Sequence, residues 1–122
     1  MILKKLTFIV LLALLPIPSH AHTALTDSTP NADSTVNAVP EFIQLVFNGP
    51  VRLAKLQVLR DGHALATDFR PASEAKATYS IRLQGMDFGN FAVSWTAIGA
   101  DGHMVSNSFS FVVAPATAEA TQ

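Results

Sequence analysis

The chain of 122 residues has no cysteine, so neither a disulfide nor a thiolate metal ligand is available to it. Any metal must be held by nitrogen, by oxygen or by methionine sulfur. Aromatic side chains are few beyond eight Phe, with one Trp and one Tyr, which leaves little for a flat sugar-stacking face. There is no basic excess: eight Lys and Arg stand against nine Asp and Glu. Nucleic acid is therefore excluded as a partner, because phosphate binding needs a clustered basic surface. No apolar run approaches the ~20 residues needed to span a bilayer.

The one marked apolar run lies at the start, from Leu6 to Leu15, preceded by Lys4 and Lys5 and followed by a Pro16/Pro18 break and Ser19-His20-Ala21. That order predicts a cleavable secretory signal over residues 1–21 and an exported mature chain that is not inserted in a membrane. Lys4 and Lys5 leave with the signal, so the mature net charge is about −3. The remaining 101 residues suit one domain with a modest core and leave no room for a second.

Helical periodicity is absent after the leader, whereas period-2 alternation recurs. Ile43, Leu45 and Phe47 share a face, as do Leu56 and Val58, then Tyr79, Ile81 and Leu83. Phe91, Val93, Trp95 and Ala97 form another set, followed by Val105, Asn107, Phe109, Phe111 and Val113. Asp61-Gly62 and Asp101-Gly102 supply turn pairs between such runs. Loops are expected around Pro30 to Asn37 and from Pro71 to Ala77, and strand-like runs flank His63. About seven short strands in this length predict an all-β fold, a single antiparallel Greek-key β-sandwich over residues 22–113. The Ala- and Thr-rich residues 114–122 have nothing periodic to bury and are expected to form a flexible tail. Trp95 alternates with Phe91 and Val93 and is expected to anchor the core.

Cleavage after Ala21 would make His22 the first residue. A free α-amine and its own imidazole can chelate one ion, so two of four ligands come from a single residue. Two Asp-Gly-His triplets could complete such a site, Asp61-Gly62-His63 and Asp101-Gly102-His103, since residues two apart in an extended segment point to one side. Local spacing does not choose between them. Binding must expel protons from an amine near ~7.8 and imidazoles near ~6.5, so affinity should fall below neutral pH.

The segment from Trp95 through Asp101, His103 and Ser106 to Phe109 and Phe111 resembles the C-terminal signature of the CopC family of periplasmic copper-binding, copper resistance proteins. His22-Thr23-Ala24-Leu25, Ser28-Thr29-Pro30, Pro40 and Ile43-Gln44-Leu45-Val46-Phe47 are similar to that family's opening. The resemblance runs over residues 22–113. It implies a cupredoxin-like or immunoglobulin-like β-sandwich that binds Cu(II) through His22, Asp101 and His103, with the first strand bringing His22 to the end of the sandwich that carries the other two. Three nitrogens and a carboxylate oxygen suit tetragonal Cu(II). The implied role is copper homeostasis in the periplasm, holding the copper ion and delivering it to an inner-membrane importer of the CopD type.

Two departures from the family pattern stand out. Some members carry a Glu after the L-x-F strand, but Phe47 is followed by Asn48-Gly49, and Asn48 is not expected to replace it. Others carry a Met-rich loop, whereas only Met86 and Met104 follow the leader here, so no separate cuprous site is expected. Met104 should point away from His103 and pack. An N-terminal histidine with a second histidine is also the copper arrangement of monooxygenases that attack polysaccharides. The small domain, the few aromatics and the anionic Asp101 weigh against such an oxidative enzyme. The remaining alternative is a metal-free sandwich serving as an interaction module.

Overall fold

The computed structural model describes residues 23–116. Seven strands and no helix lie among them: β1 (Leu25–Thr29), β2 (Thr35–Val36), β3 (Phe42–Arg60), β4 (His63–Ala64), β5 (Lys76–Arg82), β6 (Gly89–Ile98) and β7 (Met104–Val113). The alternating runs are strands as their periodicity requires, with two exceptions around β3.

The sets Ile43/Leu45/Phe47 and Leu56/Val58 read as two strands because one is odd-numbered and the other even. They belong to one strand of 19 residues. The change of parity is a register shift in the pairing with β6: Leu53 faces Ala97 while Lys55 faces Thr96, so one extra residue is absorbed between them. Val51 and Leu53 continue the odd-numbered phase and are fully inside.

β3 is also the hinge between two layers. Its first half pairs antiparallel with β1 and β5, its second half with β6 and the short β4, and the pairing with β5 breaks between Val46 and Val51, across Asn48-Gly49-Pro50. Pro50 lacks the N–H that an unbroken ladder would need. The Tyr79 hydroxyl braces this break from β5, donating to Val51 O at 2.5 Å and accepting Leu53 N–H at 3.3 Å.

β7 pairs antiparallel with β6 along its whole length. Its other edge carries β2 in parallel, through Thr35 opposite Val112 and Val36 opposite Val113. The arrangement is thus mixed rather than wholly antiparallel, and part of the segment expected as a loop after β1 is a strand. The Ala114 N–H continues that ladder to Val36 O at 2.9 Å.

The core fills the space between the layers. Ile43, Leu45, Phe47, Tyr79 and Ile81 face Leu53, Val58, Phe91, Val93, Trp95, Ala97 and Phe111. Trp95 is buried as its alternation requires and meets Phe47 edge-on, with ring centroids 5.0 Å apart at 83°. The run Ala64 to Phe69 contributes only Ala64 to a strand. It crosses instead to the other layer, where Thr67 bridges Leu83, and Leu65 and Phe69 pack against the core from the side.

A candidate metal centre at the β6–β7 turn

The two Asp-Gly-His triplets, equivalent by spacing, are built differently. Asp61 and Gly62 both have positive φ, 49° and 86°, and form the two-residue turn of the β3–β4 hairpin. The Asp61 carboxylate turns inward to the neighbouring strand, accepting Asn90 N–H at 2.9 Å, while its own N–H donates to Asn90 O at 2.7 Å. It is a fastener for β6. His63 stands exposed beside it.

In the later triplet the carboxylate turns to the histidine. Residues 99–103 connect β6 to β7, closed by hydrogen bonds from Gly99 N–H to His103 O at 3.0 Å and from Gly102 N–H to Gly99 O at 2.9 Å. Gly102 takes φ 86°, which lets the chain reverse there. Asp101 Oδ1 accepts the His103 N–H at 3.0 Å, and Asp101 Oδ2 lies 3.1 Å from His103 Nδ1. Both groups are open to solvent, the imidazole 85% exposed and the carboxylate 51%.

The His103 backbone N–H holds the Asp101 carboxyl below the ordinary aspartate range, and the His103 ring adds to that in smaller measure. The acid is therefore ionised, as a metal ligand must be. The 3.1 Å between Nδ1 and Oδ2 is close to the about 2.9 Å that separates two neighbouring donors, each about 2.0–2.1 Å from one ion. That contact is a hydrogen bond, and turning the two side chains away from each other toward one ion would let the pair act as adjacent ligands. By itself it is a two-donor fragment: no group of three or more His, Asp or Glu side chains that could hold a metal is present among the described residues.

His22 lies outside the described residues. Its neighbour Thr23 lies at this end of the sandwich, in a cleft of about 180 Å³ shared with Asn48, Pro50 and Asp101. The Thr23 hydroxyl sits against the α-carbon of Gly99, and the Asp101 carboxylate borders the same point. Asn48 secures the next residue, its Oδ1 accepting Ala24 N–H at 3.1 Å and its N–H donating to Ala24 O at 2.9 Å. Sequence reasoning did not find Thr23 or Gly99, because their contact joins residues far apart in the chain and no local pattern marks it. Met104 departs from its expected packing role: it is 62% exposed, since the turn leaves the start of β7 at the rim of the sandwich.

The described residues thus form a small all-β sandwich with an exposed carboxylate–imidazole pair at one end. The chain belongs to the CopC family: the CopC domain model matches residues 25–114. It is similar to copper resistance protein C of Escherichia coli, at 31% identity, with 76% of this chain and 82% of that protein covered. Among solved structures it is similar to PcoC, a methionine-rich copper resistance protein from Escherichia coli, at 27% identity and a TM-score of 0.62, covering 76% of this chain and 99% of that one. CopC from Methylosinus trichosporium OB3b shares the fold at 24% identity and a TM-score of 0.66, covering 78% and 96%.

Proposed function

We propose that this protein is a periplasmic Cu(II) carrier, cleaved after Ala21 and binding one cupric ion through the His22 amine and imidazole, Asp101 and His103. Its role is copper resistance or homeostasis, with delivery of the ion to an inner-membrane transporter of the CopD type. The observation that carries this reading is the Asp101–His103 pair, ionised, solvent-facing and spaced for neighbouring coordination, at the end of the sandwich where Thr23 sits. Membership of the CopC family supports copper as the cargo. The donor set, three nitrogens and one carboxylate oxygen, suits a tetragonal cupric ion better than tetrahedral zinc. With an anionic ligand in place of an open position, the centre is suited to holding the ion rather than to oxidative catalysis.

The test is Cu(II) titration of the chain beginning at His22. Asp101→Ala and His103→Ala each weaken binding by more than about tenfold, as expected for removing one first-sphere donor. His63→Ala leaves affinity unchanged, because Asp61 is committed to Asn90. If His63 proved essential and His103 dispensable, the choice of triplet would be wrong.

A further inference from the structure

We infer that Asn48 and Gly99 are positioning residues that form a seat for Thr23 and Ala24 and thereby present residue 22 to the Asp101–His103 pair. The inference rests on the proposed chelate and adds to it two residues that carry no metal-binding atom in that scheme.

Two independent contacts define the seat. On one side Asn48 grips Ala24 at both of its backbone polar atoms, with the side-chain oxygen on the N–H and the main-chain N–H on the carbonyl. This grip extends the β1–β3 ladder one residue beyond Leu25 opposite Phe47, toward the chain start. On the other side Gly99 is buried and gives Thr23 a notch. A β-carbon at residue 99 would collide with the Thr23 hydroxyl oxygen and would also crowd Asp101 Oδ1 at 3.3 Å, while its 3.5 Å to Thr23 Cβ is an ordinary contact. The glycine is needed here for space, since no positive φ is recorded at this position.

The chain is thus fixed at residues 23 and 24, and consecutive α-carbons are only about 3.8 Å apart across a trans peptide. A terminal residue attached to a held Thr23 loses less freedom on binding than one attached to a loose strand end. Preorganisation of this kind raises affinity without adding a contact to the ion. The notch also fixes which part of the turn the chain start meets, because Thr23 and Asp101 border the same point over Gly99.

The seat is tested on the chain beginning at His22 with Asn48→Ala and Gly99→Ala, each alone and in a His22→Ala background. Each single variant should weaken Cu(II) binding by roughly tenfold. In metal-free protein the Ala24 amide should exchange with solvent faster in Asn48→Ala. Because the seat acts through residue 22, the loss caused by Asn48→Ala should shrink once His22 is Ala and only the amine of that residue remains, a non-additivity that general loss of structure would not give. Thr23→Ala removes the oxygen that the new methyl group would strike, so it should restore part of the affinity lost in Gly99→Ala, the remainder being the close approach of that methyl to Asp101. Wild-type affinity in both single variants, or an undiminished loss from Asn48→Ala in the His22→Ala background, would overturn the seat. If instead His22→Ala alone left affinity intact, the proposed chelate would fail first, so the two failures are distinguishable.

Discussion

Asp61 and Asp101 occupy the same position of the same tripeptide, yet one carboxylate secures a strand and the other faces a histidine. The tripeptide was legible in the sequence, but its direction was not, because direction depends on which backbone N–H lies within reach. Asn90 is brought to Asp61 by the β3–β6 pairing, whereas the five-residue turn at Asp101 brings the His103 N–H within reach. Since the first cause of the lowered Asp101 pKa is a backbone N–H, His103→Ala should leave the carboxyl still lowered. An NMR titration of metal-free protein should find the Asp101 midpoint below that of an ordinary aspartate in both forms, and a return to the ordinary value in His103→Ala would assign the shift to the ring. A carboxyl depressed in the folded state favours folding above its unfolded pKa, and this contribution fades as pH falls through the folded one. Acid should therefore weaken the turn only in the carboxylate range.

At the scale of elements, β3 determines how the two layers join. Alternation identified its two buried faces correctly and split them into separate strands, because a register shift reverses parity just as a new strand does. The short β2 escaped notice for another reason: two residues are too few to show a period, and its partner Val112–Val113 is distant in sequence. The break in β3 depends on Tyr79, whose hydroxyl serves Val51 O and Leu53 N–H at once. Tyr79→Phe keeps the ring and removes both hydrogen bonds at a buried site, so a loss of about 1–3 kcal/mol is expected. Urea denaturation checks it, and a loss within error of zero would mean that the backbone alone sets the bend.

For the whole molecule, the sandwich was legible because both layers present alternating Val, Ile, Phe and Leu to a common core. Phe47 and Trp95 meet across that core, and Phe47 directly precedes Asn48, the residue that grips Ala24. Trp95→Ala should cost about 3–5 kcal/mol through the lost apolar surface and the cavity left behind. Calorimetry of metal-free protein measures that cost, and a small loss would show that the layers do not rely on this contact.

The central claim is that a processed chain start completes a centre of which the fold supplies an acid and an imidazole. Cu(II) affinity, read together with the electron paramagnetic resonance spectrum, should be compared between the chain beginning at His22 and the same chain with one alanine added before it. The added residue moves the free amine away from His22, so affinity should fall by at least about tenfold and the spectrum should change with the donor set. Equal affinity and an unchanged spectrum in the two chains would contradict the account.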